Sequence, residues 1–184
     1  MANDVSRSTE VRPPKWETGR ASSSSSKLPV AELRRLQVEY LGIFREKCTS
    51  KKWSELQRMH FDWWQFPIDD GSRLEFNLKS ESDIDLLKSD CVWLSNYLES
   101  IKLLALSWGW DVDKKTQSLI GGKWNKNDVR LAKIIRSLWL FQINEYFESM
   151  QMFAHHINDQ EYNERGFFYG SICLDEILIM GLPR

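Results

Sequence analysis

His155 and His156, followed by Asp159 and Glu161, form the densest group of metal-capable side chains in this 184-residue sequence. A zinc site of the hydrolytic kind needs two histidines one helical turn apart with a glutamate between them, and that spacing is absent. Adjacent histidines on a helix point about 100° apart, so His155, His156 and Asp159 could share one ion only with help from a distant segment. Such a site would make the chain a metal-dependent enzyme. The plainer account is that histidines collect where a helix presents its negative end. His60 with Asp62 is the other pairing of this kind.

Other reactive groups are no closer to a catalytic pattern. Glu81, Asp83, Asp85 and Asp90 crowd what reads as a helix start, where the positive end of the helix favours carboxylates without any acid–base role. Cys48, Cys91 and Cys173 have no histidine near them in sequence, and no Gly-x-Ser-x-Gly elbow is present. Three widely spaced cysteines, two of them in apolar helical patterns, read as reduced, buried thiols and point to a cytoplasmic protein. Gly121-Gly122-Lys123 falls short of a phosphate-binding loop. No catalytic residue and no cofactor is expected.

Binding chemistry has more to stand on. From Lys114 to Arg136 the chain carries seven basic residues against the single acidic Asp128. From Asp69 to Glu99 it carries eight acidic residues against three basic ones. Lys123, Lys126, Arg130 and Lys133 fall at helical spacing beside Trp124, a pattern that would grip a phosphate backbone and stack a base. The same stripe would equally complement an acidic neighbour. The nine tryptophans are the most unusual feature of the composition. Tryptophan either fills cores or anchors interfaces, and the segment Phe61–Ile68 is the densest aromatic stretch. Trp63, Trp64, Phe66 and Trp124 are the candidate partner-binding residues.

These residues need elements to hold them. Ala132, Ile135, Trp139, Ile143, Tyr146, Met150 and Phe153 recur every three or four positions, with Leu131, Ile134, Leu138 and Phe141 alongside. The pattern predicts one long central helix over Asp128–Phe153, capped by Asn125 and Asp128, with neighbours on both sides. Leu33, Leu36, Tyr40, Ile43 and Phe44 predict a helix entered at Pro29. Ser50 reads as the cap of a shorter one carrying Trp53, Leu56 and His60, stopped before Pro67. Ser82 and Asp85 read as a capping box opening a heptad seam of Ile84, Leu87, Cys91, Leu94, Leu98, Ile101, Ala105 and Trp108. Leu86, Trp93, Tyr97 and Leu104 add a second stripe, and this helix is expected to run antiparallel to Asp128–Phe153.

Leu74, Phe76 and Leu78 alternate with polar residues, which predicts an extended arm near 72–79. Asn158 and Glu161 suggest a last helix reaching Met180, interrupted at Gly166 and Gly170. The link from Gly109 to Trp124 is long for a bundle and could present residues rather than merely connect.

Residues 1–27, with Pro13-Pro14, the five consecutive serines Ser22–Ser26 and the lone Trp16, are expected to be a disordered tail, leaving 28–184 as one helical domain. The N-terminus lacks an apolar leader, and no apolar run is long enough to cross a membrane. Net charge of −1 gives no global pull toward nucleic acid or membrane. The expectation is an all-α compact bundle of about five helices. Its function is read as a non-catalytic protein–protein interaction or accessory subunit, through a protein partner or self-association. Nucleic-acid binding through the stripe 123–136 is the first alternative and a metal-dependent enzyme the second.

Overall fold

The computed structural model describes Pro14, residues 27–161, 168–169 and 172–173, and Gly181. The expected tail, with Trp16, lies outside these residues apart from Pro14 and Lys27. So do Gly166, Gly170 and Met180. Among the described residues the chain is mostly helical: α1 (Val30–Thr49), α2 (Trp53–Arg58), α3 (Asp62–Gln65), α4 (Glu81–Lys88), α5 (Cys91–Ser107), α6 (Asp128–Leu140) and α7 (Asn144–Glu161). Strands β1 (Trp110–Asp111) and β2 (Thr116–Gln117) make a small antiparallel hairpin, and β3 (Phe168–Tyr169) pairs with β4 (Ile172–Cys173) in another. No described helix is long and apolar enough to cross a membrane.

Helix α1 buries Leu33, Gln37, Leu41 and Phe44, one face at helical spacing, and packs chiefly on α5. The burial axis sits slightly round from the expected stripe, leaving Leu36 and Tyr40 at its edge. Its end is closed by Lys51, held at φ 54°, while Lys51 and Lys52 N–H donate to the Cys48 and Lys47 carbonyls at 3.1 and 2.8 Å. Ser50 therefore ends α1 rather than starting α2. This is the hydrogen-bond pattern that usually calls for glycine in the left-handed position.

The same device corrects the expectation of a single helix over Asp128–Phe153. Gln142 takes φ 55°, its N–H donates to Trp139 O at 3.1 Å, and Ile143 N–H donates to Leu138 O at 3.0 Å. The chain turns there, and α7 starts in a new direction and runs through Asn158, so no fresh cap forms at that residue. The described pairs 168–169 and 172–173 are strands, where the sequence pattern had suggested helix. The heptad seam breaks in a comparable way. Asp90 accepts N–H bonds from Val92 and Trp93, both at 3.1 Å, and so caps α5 separately from α4. Cys91 is consequently exposed rather than buried, and Trp93, Tyr97 and Leu104 carry the buried stripe. The expected boxes also differ in detail. Asp83 accepts from Lys79 N–H, and Asn127, not Asn125, precedes α6.

Over residues 72–79 a 3-10 turn at Leu74–Phe76 leaves Leu74 outside while Phe76 and Leu78 are buried. α6 is the centre. Every residue from Arg130 to Leu138 on it is buried, charged ones included. Across from it, Trp93 packs on Phe141 at 5.2 Å and Tyr97 donates to Ser137 Oγ at 2.9 Å, so contacts between α5 and α6 run in opposite chain directions. Ser137 in turn donates to Pro67 O at 2.9 Å, which leaves the hydroxyls of this apolar region satisfied. Burial pushes the Tyr97 phenol well above its ordinary range, and the Ser137 hydrogen bond offsets this in part.

Candidate functional site

The basic stripe is where sequence pattern and structure diverge most. Arg130 and Lys133 are buried on α6 and face the α2–α3 corner. Arg130 Nε donates to Asp62 Oδ1 at 2.6 Å, Nη1 to Gln57 O at 2.6 Å, and Nη2 to Met59 O at 2.7 Å. Its guanidinium thus closes the carbonyl end of α2 and fixes the start of α3, the two places where short helices leave backbone groups without partners. It also lies 4.3 Å from the centre of the Phe61 ring. Lys133 Nζ sits 3.7 Å from Asp62 Oδ2 and 5.0 Å from the Trp63 ring centre. Burial lowers the Lys133 ammonium pKa, partly offset by Asp62 and reinforced by Arg130. One turn further, Arg136 meets Asp69 through paired bonds of 3.0 and 2.8 Å, both side chains 3% exposed.

These contacts bear on two of the four residues of the nucleic-acid reading. Of the four stripe residues only Lys123 and Lys126 are exposed, and Arg130 and Lys133 are committed to the chain's own carboxylate and carbonyls. The acidic stretch is indeed the stripe's complement in part, through Asp69, but inside one molecule.

The four aromatic candidates divide between core and surface. Phe66 and Trp64 are buried, Phe66 against Phe61 and Tyr97, and Trp64 against Tyr40 and Phe76. They belong to the core of the folded chain. Trp63 is half-buried between Lys133 and Arg73, and its Nε1 donates to Ser72 Oγ at 2.8 Å. Trp124 is half-buried edge-on to Trp108 and Phe153, at 5.2 and 5.4 Å. The metal candidates do not converge. His155 and Asp159 are exposed, whereas His156 lies against Trp110 and bonds Gln117 at 2.7 Å. Among the described residues no three His, Cys, Asp or Glu side chains are grouped to hold an ion.

The feature that does present itself outward is the link between α5 and α6. Gly109, at φ 83°, turns the chain out of α5 into β1, a conformation that a side chain would strain. The hairpin β1–β2 then returns the chain, and Ser118 N–H donates to Gly109 O at 2.8 Å. Gly122 N–H donates to Leu106 O at 2.9 Å. A Cβ on Gly122 would overlap the Ser107 carbonyl oxygen and stand 2.9 Å from the Trp53 ring. Gln57 Nε2 reinforces this junction with bonds to Ser107 O and Lys123 O, at 2.5 and 3.1 Å. The short loop between Ser118 and Gly122 is therefore pinned at both ends, and it carries Leu119 and Ile120 at 102% and 74% exposure.

This loop forms part of the wall of an open groove of about 460 Å³, where Leu119 and Ile120 join Leu106, Trp110 and Val112, and Lys102, Asp111, Asp113 and Lys114 are among the polar residues. Those charges are matched within the chain. Lys102 Nζ meets Asp113 Oδ2 at 2.8 Å, Lys114 meets Asp111 at 3.1 Å, and nearby Lys115 meets Glu148 at 3.0 Å. The backbone N–H of Lys114 is the main cause of a lowered Asp111 pKa, and the bond to Asp113 raises that of Lys102. Trp110 is held by its Nε1 donating to Ser149 Oγ at 3.1 Å, and Ser149 donates on to Val112 O at 2.7 Å. The groove thus has mixed walls, apolar at Leu106, Leu119 and Ile120, polar at Thr116 and Ser118, and carrying charges that are paired within the chain.

Sequence reasoning marked this link for its length and its glycine pair but did not mark Leu119 or Ile120. Compared with family models, curated proteins and solved structures, the chain matches none.

Proposed function

We propose that the protein is a non-catalytic interaction protein or accessory subunit of a larger cytoplasmic assembly, and that it makes contact through the Leu119–Ile120 loop and the groove it helps to wall. The observation that carries this reading is the exposure of two adjacent aliphatic side chains on a loop tied down at both ends. Isolated exposed apolar residues are ordinary on protein surfaces. Two together on a pinned loop, forming one wall of a groove, resemble the rigid anchors that dominate binding energy at interfaces. The free thiols of Cys48 and Cys91 fit the cytoplasmic part of the proposal.

The test is affinity capture with tagged protein from its native lysate, treated with nuclease, comparing the natural chain with a Leu119→Ser/Ile120→Ser variant. A stoichiometric protein retained by the first and lost by the second is the expected result. Capture that is unchanged in the variant, or that disappears with nuclease, contradicts it.

A further inference from the structure

Two stretches far apart in sequence bring unpaired positive charge to one place. Helix α2 packs on the segment that leads into α6. Gln57 Nε2 donates to Lys123 O at 3.1 Å, Asn127 Nδ2 reaches Gln57 Oε1 at 3.5 Å, and a Cβ on Gly122 would stand 2.9 Å from the Trp53 ring. Lys51 and Lys52 immediately precede Trp53, and Arg58 follows Gln57, so α2 is flanked by three cations beside the two of Lys123 and Lys126. All five are exposed, and among the described residues none of them is in an ion pair. The one carboxylate of α2, Glu55, is held by Lys47 at 2.9 Å.

The backbone marks two of these lysines. Lys51 and Lys126 take φ 54° and 48°, the left-handed region that favours glycine. Lys115 shares that conformation at φ 52°, but its ammonium meets Glu148 at 3.0 Å. Glycine would serve the turn better at Lys51 and Lys126, and what lysine adds there is charge at the surface. Trp53 and Trp124, both half-buried, adjoin Lys52 and Lys123 in the chain and so lie within the basic surface. Cations that follow a phosphate backbone, with flat rings among them on which bases stack, are the two components of a single-strand binding surface. An anionic membrane would call for exposed aliphatic side chains to insert, and no large exposed apolar residue falls within 51–58 or 121–127.

We propose that this surface, formed by α2, the two lysines before it and residues 121–127, binds single-stranded nucleic acid, with its cations on the phosphates and Trp53 and Trp124 against bases. It is separate from the loop contact described above, and Lys51, Lys52 and Arg58 take the place that the buried Arg130 and Lys133 leave empty in the stripe.

The test is fluorescence anisotropy of the full purified chain with a labelled single-stranded RNA of about twelve nucleotides, from about 20 to 200 mM salt. Binding is expected at low salt, with log Kd rising by about 3 per log unit of salt, as four or five neutralised phosphates require. Lys51→Gly/Lys126→Gly removes two cations while relieving the backbone. It should weaken binding at least about tenfold at the lowest salt and cut the slope by about 1.4, with stability in urea equal to or above that of the natural chain. Arg35→Gln, which alters an exposed cation held between Glu32 and Glu39, should change neither.

No binding at the lowest salt overturns the proposal, as does binding indifferent to salt or to the glycine variant. An abasic strand of the same length held as tightly overturns it as well, since the rings would then have no part in recognition. Binding to vesicles of phosphatidylserine and phosphatidylcholine, with none to RNA, would give the same lysines to a membrane and also overturn it. None of these outcomes touches the loop contact, which is read from capture of a protein after nuclease treatment.

Discussion

Two regions of this molecule invert the usual placement of polar and apolar groups, in opposite senses. On α6, Arg130, Lys133 and Arg136 are turned inward among aromatic rings. Between β2 and α6, Leu119 and Ile120 are turned outward into water. The difference lies in what answers each inversion. Arg130 finds Asp62 and the carbonyls of Gln57 and Met59, and Arg136 finds both oxygens of Asp69, so the buried charges are closed by the chain itself. Nothing comparable answers Leu119, whose side chain is left wholly to solvent. A buried charge with its partners is architecture. An exposed aliphatic pair held rigidly in place is an opening for another surface.

The contrast can be broken at either end. The largest effect is expected from Asp69→Ala, which removes both carboxylate oxygens that the buried Arg136 guanidinium bonds at 3.0 and 2.8 Å. Removing one member of a buried ion pair costs about 3–5 kcal/mol, and urea denaturation should show a fall of that size. Arg130→Lys keeps the charge but loses the planar fork that reaches Gln57 O, Met59 O and Asp62 together. A loss of about 1–3 kcal/mol is expected, and a variant as stable as the natural chain would show that the fork does not hold the α2–α3 corner.

At the other end, Gly122→Ala forces a methyl group into the Ser107 carbonyl and the Trp53 ring. It should cost about 1–3 kcal/mol and also weaken partner capture, because the loop can no longer sit where Gly122 pins it. Capture at full strength in that variant would mean the loop's position is irrelevant.

Cys48 provides a milder probe of the α1–α5 packing. Burial pushes its thiol up to about 11 from an ordinary value of 9.0. Between those values the unfolded chain releases a proton that the folded chain retains. The stabilisation is therefore complete below pH 9 and is lost as pH rises through about 11. Denaturation midpoints measured across that window should fall less steeply in Cys48→Ala than in the natural chain, and equal slopes would contradict the assignment. The smallest stability effect belongs to Leu119→Ser/Ile120→Ser, within about 0.5 kcal/mol of the natural protein for each change. A larger loss would mean these side chains support the fold.

Sequence pattern showed the core more readily than the surface. The apolar periodicity of Leu131, Ile134, Ile135 and Leu138 matches the buried run of α6, and the helical region before Pro67 does stop at Gln65, although it is two short helices with His60 between them and not the one expected. The breaks were hidden because the chain uses unexpected residues for them. Gln142 and Lys51 adopt the left-handed conformation that glycine normally marks, and Asp90 starts a helix inside an unbroken apolar seam. The basic stripe was visible as a spacing, yet spacing alone cannot reveal that Asp62 and Asp69 come to meet it. Trp64 and Phe66 carried the composition of an interface and the burial of a core. Leu119 and Ile120 form no periodic pattern, so their exposure follows only from how Gly109 and Gly122 fasten the loop. The glycine pair was the one local signal that pointed there.

The most direct test of this division is nuclease-treated affinity capture with two variants side by side, Leu119→Ser/Ile120→Ser and Lys123→Glu/Lys126→Glu. The account predicts that the captured protein is lost with the first and kept with the second. Loss with the lysine variant and retention with the loop variant would contradict it and return the contact to the basic residues.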